Sequence, residues 1–216
     1  MYVLRAKVEI KCSPEDLNYF LVDKNGIEKL PNNLISIPQN KMQTTLNHNR
    51  SVSLTMLDGP KNYFFVFGDK KEISKLHNAI YSAEINPCNW NDVHIESIIP
   101  NIFNETQDLY IPQSVNLDLI DAINFKKGCY TGQEIVARTH YLGKPKRRMY
   151  LGSVELNKNP ELGSEIKASD EKIGSLVNYY KQKNDVFRIL VELRIEKVDA
   201  QPTLNGNEIL SLKMQY

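Results

Sequence analysis

The stretch KKGCYTGQE, residues 126–134, places a cysteine between two lysines and the predicted start of a helix. Thr131 and Glu134 have the spacing of a capping box, in which two side chains bond the free amides of a helix's first turn. We therefore expect a short helix to begin at Gln133. Cys129 would lie just before it, where the helix dipole and the lysines favour the thiolate. The pattern predicts a reactive cysteine rather than one used for packing.

The cysteines indicate neither a disulfide framework nor a metal site. Cys12, Cys88 and Cys129 are widely spaced and odd in number, which predicts reduced thiols in a cytoplasmic protein. No CxxC pair or Cys/His pair at ligand spacing occurs, and three thiolates are too few for an iron–sulfur cluster, so we expect no resident metal. The sequence shows no leader-like start and no apolar run long enough for a membrane span, so no membrane contact is expected.

The overall charge of +1 conceals a basic centre. Residues 126–148 contain seven basic residues and one acid, a local net charge of +6. The basic residues are Lys126, Lys127, Arg138, Lys144, Lys146, Arg147 and Arg148. Such a concentration indicates an anionic ligand or partner, although a solvated basic face has the same pattern.

Hydrophobic alternation changes in character after the Gly-Lys-Pro break at residues 143–145. Before the break, the pattern predicts strands over residues 2–10 and 17–22, a hairpin over 52–57 and 63–67, and a helix over about 69–83. After it, five short strands are predicted over 148–156, 164–168, 172–180, 186–195 and 208–214. Strands at this spacing predict a small antiparallel barrel or sandwich. Two domains meeting near Gly143 are the simplest interpretation.

The motif at residues 127–134, with Val136-Ala137-Arg138 after it, resembles the signature of the YgfZ family, relatives of the aminomethyltransferase (T-protein) of the glycine cleavage system. The resemblance extends to residues 2–8, 111–117 and 143–148. It implies an α+β fold. A partial aminomethyltransferase-like, folate-binding domain would cover residues 1–143, carry the motif and lack the family's N-terminal segment. A small C-terminal antiparallel β-barrel would cover residues 144–216.

The family resemblance also implies a function. It predicts a folate-binding accessory protein that supports assembly or repair of iron–sulfur enzymes, including tRNA-modifying ones, with tetrahydrofolate or a derivative as cofactor. Cys129 resembles the family's essential cysteine, and Glu96 resembles the acid that binds the pterin in the related aminomethyltransferases. Lys127, with Arg147 or Arg148, is expected to face the folate. A carboxylate can bond the pterin amidine edge, and arginine pairs well with folate's carboxylates.

The segment around Glu96 departs from the family pattern. The acid is usually followed by Ala-Gly, whereas Ser97-Ile98 stands here. A branched side chain in place of glycine predicts a narrower approach to the pocket. Without the resemblance, Glu96 would be interpreted as a solvated surface acid.

Two other functions remain open at this point. A tetrahydrofolate-dependent aminomethyltransferase would use an acid from the early pocket segment that the resemblance indicates is missing, so enzymatic activity is left undecided. An RNA-binding module is suggested by Tyr130, Tyr141 and Tyr150 within the basic segment. No RNA-binding signature accompanies these tyrosines, so no stable nucleic-acid binding is expected. Folate and iron–sulfur client enzymes are the expected partners.

Overall fold

The chain forms two compact units, residues 1–89 and 90–216. The structure, a computed structural model, describes residues 15–30, 34–57, 62–81, 89–128, 131–182 and 184–214. The strand predicted over residues 2–10 lies outside these ranges. Within the described part of the chain, no helix is long and apolar enough to cross a membrane.

The first unit contains a four-stranded antiparallel sheet in the order β1-β4-β3-β2. Its strands are β1 Leu17–Asp23, β2 Thr44–Leu46, β3 Val52–Met56 and β4 Tyr63–Asp69, with short helix α1 Lys24–Ile27 after β1 and α2 Lys70–Tyr81 after β4. The predicted strand at 17–22, the hairpin and the helix are all confirmed.

Alternation of side chains along β3 builds the core of this unit. Val52, Leu54 and Met56 are buried, whereas the residues between them are partly exposed. Ile73 and Leu76, three positions apart on α2, complete the cluster. The period of two in the strand and of three to four in the helix therefore direct apolar side chains to the same core.

The second unit contains a seven-stranded antiparallel sheet in the order β10-β9-β6-β7-β8-β5-β11. Its strands are β5 Arg147–Glu155, β6 Glu165–Ala168, β7 Glu171–Lys181, β8 Val186–Arg194, β9 Thr203–Leu204, β10 Asn207–Glu208 and β11 Leu210–Lys213. Strand β10 also contacts β5, so the sheet nearly closes into a barrel. The expected antiparallel barrel is confirmed, and the unit also contains helices α3 Trp90–Glu96 and α4 Gln133–Tyr141.

Residues before β5 cover one face of this sheet. Ile95, Ile98 and Val115 share a core cluster with buried residues of β5, β7 and β8. The Asn116 side chain extends the pairing of β5, since its Nδ2 donates to the Met149 carbonyl at 2.8 Å and its Oδ1 accepts from the Met149 amide at 3.2 Å. By compactness, residues 90–143 therefore belong with the barrel. The aminomethyltransferase-like domain ending at residue 143 stays a prediction.

Candidate functional site

The structure describes the motif of residues 126–134 except at two positions. Cys129 and Tyr130 lie outside the described residues. Helix α4 begins at Gln133 as predicted, but the predicted capping box is wrong. The cap residue is Gly132, in the left-handed region at φ 84°, so the cap position has no side chain that could bond the first turn. Glycine adopts this conformation readily, which leaves Thr131 one position too early to cap the helix.

Helix α4 is attached to the unit through one face. Val136 is buried, and its carbonyl accepts a 2.6 Å hydrogen bond from Nε2 of Gln113, in the 3₁₀ turn Pro112–Val115. Ile135, the residue before Val136, is 61% exposed. The helix therefore presents most of its surface outward.

A cavity of about 650 Å³ lies beside the end of α4 and the start of β5. Its volume falls within the range of small-molecule sites. The lining residues are Leu109, Tyr110, Ile111, Ser114, Thr139, Lys144, Pro145, Lys146, Arg147, Gly163, Lys172, Gly174, Ser175 and Glu192. Four cations and one carboxylate in this set make the cavity electropositive, and the aromatic and aliphatic residues supply an apolar wall.

Arg147 lines the cavity and is held in place by Glu192. Its Nη1 donates to Glu192 Oε2 at 2.7 Å and more weakly to the Ile173 carbonyl at 3.3 Å. Burial raises the pKa of the Glu192 carboxyl, and the Arg147 guanidinium opposes that shift. Lys172 has its own exposed partner, Glu165, at 3.1 Å. The uncompensated positive charge of the lining therefore comes mainly from the lysines.

Lys144 and Lys146 supply that charge. Within the described part of the chain, neither ammonium group has an ion-pair partner. Lys144 belongs to the turn that follows α4, and Lys146 lies immediately before β5. Both are exposed, so an anion can reach them from solvent.

Arg148 has a different role from its neighbour. Successive side chains of a strand point to opposite faces, and Arg148 does not line the cavity. Its guanidinium makes a bidentate ion pair with Asp118, in which Nη1 donates to Oδ1 at 2.5 Å and Nη2 to Oδ2 at 2.9 Å. Its Nη1 also donates to the Gln113 carbonyl at 2.8 Å. Of the two arginines that the family resemblance left open, Arg147 lines this cavity and Arg148 does not.

Glu96 lies at the end of α3 and is only 5% exposed. Its Oε1 accepts hydrogen bonds from the Tyr180 hydroxyl at 2.7 Å and from Arg188 Nε at 2.9 Å. Burial, together with the bond to Glu96, holds the pKa of Tyr180 well above its ordinary value. The interpretation of Glu96 as a solvated surface acid is therefore wrong. Neither Glu96 nor Lys127, which is exposed, lines the cavity.

Comparison with known proteins identifies the family. No protein-family model matches the chain. The tRNA-modifying protein YgfZ of Blochmanniella pennsylvanica is 32% identical over 167 residues, which cover 75% of this chain and 49% of that protein. The protein of the same name from Buchnera aphidicola subsp. Schizaphis graminum is 31% identical over 173 residues, or 79% and 54%. The one from Aliivibrio fischeri (strain MJ11) is 40% identical over 119 residues, or 52% and 36%. Over about three quarters of its length, this chain is similar to proteins of the YgfZ family.

The resemblance inferred from the motif is thus confirmed at the level of the YgfZ family. The chain spans about half the length of the curated YgfZ relatives it matches first. Their similarity does not test the individual site residues, so the assignments of Cys129, Glu96, Lys127 and the two arginines stay predictions.

One backbone feature near Glu96 agrees with the family resemblance. Ile98, at the position where that resemblance leads us to expect glycine, has a positive φ of 55°. A branched residue rarely adopts that conformation. Its side chain is buried in the core cluster that α3 shares with β5, β7 and β8. Packing of Ile98 against the sheet therefore offsets a backbone conformation that glycine would adopt without strain.

Sequence reasoning missed Lys172 and Glu192, which reach the cavity from β7 and β8. Glu192 had a usable signal, because it stands in the apolar run ILVEL of a predicted buried strand. A charge in such a run indicates a buried partner or a site. Lys172 lies at the start of β7, directly after the polar residues Ser169, Asp170 and Glu171, and nothing in its neighbours singles it out.

Proposed function

We propose that this chain takes part in tRNA modification, in the cytoplasm, as a folate-binding accessory protein for iron–sulfur enzymes, with Cys129 as its working thiol. The observation that carries the proposal is the similarity, over three quarters of the chain, to proteins named tRNA-modifying protein YgfZ. The cysteine motif supports the thiol role, because lysines and a helix start both favour the thiolate form.

The cationic cavity supports folate binding by its charge and shape. Folate combines a flat ring system with two carboxylates, and the cavity combines an apolar wall with the cations of Lys144, Lys146 and Arg147. Arginine and lysine bind carboxylates through charge-assisted hydrogen bonds. The carboxylate end of folate therefore fits the residues present.

Glu96 does not fit the pterin-binding role in this arrangement. Bidentate bonding to an amidine edge needs an accessible carboxylate, whereas Glu96 is buried and one of its oxygens already accepts from Tyr180 and Arg188. The folate proposal is therefore based on Arg147 and the lysines, and Glu96 is assigned to holding α3 against β7 and β8.

The role of the thiol can be tested in a bacterial strain that lacks its own YgfZ protein. The wild-type chain should restore the tRNA nucleosides made by iron–sulfur enzymes, measured by mass spectrometry of digested tRNA. Cys129→Ser should abolish restoration, whereas the matched control Cys88→Ser should behave as wild type. Full restoration by Cys129→Ser would contradict the proposal.

Folate binding can be tested by calorimetric titration of the full chain with tetrahydrofolate. The double variant Arg147→Gln, Glu192→Gln removes a cation from the cavity without leaving a lone buried carboxylate. A lost charged hydrogen bond is worth about 1.5–3 kcal/mol, so affinity should fall at least tenfold. Lys158→Ala, at an exposed position beyond the far end of β5, is the control and should leave the affinity unchanged. Equal affinity in both variants would exclude the cavity as the folate site.

A further inference from the structure

An aromatic cluster lies at the end of α4. The rings of Phe125 and His140 are stacked, with centroids 3.7 Å apart and planes at 11°. The Tyr141 ring stands edge-on to both, 4.7 Å from His140 and 6.5 Å from Phe125. Tyr141 is 65% exposed. These rings contact one another outside the apolar core clusters of the unit.

Cations are also found at this end of α4 and in the turn that follows it. Arg138 is exposed and only weakly paired, since its Nη2 is 3.8 Å from Glu134. Thr139, the residue before His140, lines the cavity together with Lys144 and Lys146. The last turn of α4 therefore joins the aromatic cluster to the unpaired charges of the cavity. We call this the α4 surface: Phe125, Arg138, His140, Tyr141, Lys144 and Lys146.

We propose that the α4 surface binds single-stranded RNA directly, with a base stacked on Tyr141 and phosphates on Lys144 and Lys146. Proteins that bind single strands combine exposed aromatic rings with a positively charged groove. The inference deepens the proposed function and rests on it for the choice of RNA as the anion. It departs from the expectation that nucleic acid is not bound stably, because the sequence did not show that rings and cations meet at one helix end.

The positive charge of the α4 surface favours an anionic ligand, and the exposed Tyr141 ring favours a ligand with flat aromatic bases. An acidic polypeptide would share the charge, but it would rely on exposed aliphatic contacts such as Leu142, which is 83% exposed and adjacent to Tyr141. Single-stranded RNA would instead lose affinity when the ring is removed. Tyr141 and Leu142 therefore separate the two occupants in an experiment.

The test is fluorescence anisotropy of the full chain with a labelled, unstructured RNA of about ten nucleotides, within the usual site size. Tyr141→Ala should weaken binding by about 5- to 150-fold, the loss typical of one stacked base, without changing the salt dependence. The double variant Lys144→Ala, Lys146→Ala should lower the slope of log affinity against log salt by about 1.4, or about 0.7 per lost phosphate contact.

Matched variants serve as controls. Leu142→Ala and Lys158→Ala should bind RNA as wild type does, and Tyr141→Phe should retain most of the affinity because it keeps the ring. Circular dichroism melts of each variant exclude unfolding as the cause. No binding at about 50 mM salt, or loss in Leu142→Ala equal to that in Tyr141→Ala, would overturn the proposal. Displacement of RNA by an equal charge of poly-L-glutamate would also overturn it.

Failure of this inference is distinguishable from failure of the proposed function. Restoration of modified tRNA nucleosides by a Tyr141→Ala variant that has lost RNA binding would leave the accessory role intact and remove RNA as a direct ligand. RNA binding by a chain that restores no modification would remove the accessory role alone.

Discussion

Glu96 illustrates how one carboxylate can fix three elements of the second unit. It belongs to α3, and it accepts hydrogen bonds from Tyr180 of β7 and Arg188 of β8. The Arg188 side chain is also largely buried. A buried pair of this kind is costly to break from one side, because the remaining charge has neither water nor a partner.

We expect Glu96→Ala to lower the free energy of unfolding by about 3–5 kcal/mol, since Arg188 would remain as an uncompensated buried cation. Urea denaturation followed by the fluorescence of Trp90, the only tryptophan in the sequence, measures this change in the second unit. Glu134→Ala is the matched control, because its exposed pair with Arg138 should contribute less than about 1 kcal/mol. Equal losses in the two variants would show that the buried pair is not stabilising.

At the residue scale, the buried position of Glu96 and its hydrogen-bond partners could not be predicted from the sequence. Tyr180 and Arg188 lie 84 and 92 residues further along the chain, and nothing in the local sequence of α3 indicates them as partners. The same limit applied to Arg147 and Arg148, which were indistinguishable as neighbours. Only the direction in which each side chain leaves β5, and the carboxylate it meets, assigned them different roles.

At the scale of elements, the start of α4 depends on backbone conformation rather than on a side-chain cap. We expect Gly132→Ala to cost about 1–2 kcal/mol of stability, because an alanine there must adopt the left-handed conformation. Thr131→Ala should change stability by less than about 0.5 kcal/mol, because its hydroxyl does not bond the helix. The same denaturation assay measures both, and a larger loss in Thr131→Ala would restore the capping box.

Elements with a clear period were predictable, and short ones were not. The alternation in β3 and in the strands of the barrel gave their positions to within a few residues. Strand β9, Thr203–Leu204, has too few residues to show a period. Helix α3 was missed because its seven residues stand in a proline-interrupted stretch that resembles a loop. The cavity drew on residues from 109 to 192, so no local pattern contained it.

At the scale of the whole molecule, compactness predicts where the chain can be divided. A fragment of residues 90–216 retains Ile95, Ile98 and Val115 over the sheet, whereas residues 144–216 alone would expose Met149 and Leu151. We expect the longer fragment to unfold cooperatively on heating and the shorter one to melt at a lower temperature or without a transition. Calorimetry of both fragments checks this, and equal melting would support the boundary at residue 143.

The pairing of β11 with β5 sets an order of events during synthesis. Ser153 and Leu210 are partners in the ladder, yet 57 residues separate them. Translation proceeds at about 5–20 residues per second, so this edge of β5 stays unpaired for roughly 3–11 s before β11 is synthesised. An open strand edge can pair with another nascent chain during that interval. The yield of correctly folded protein in a crowded cell therefore depends on how fast the last strand is translated.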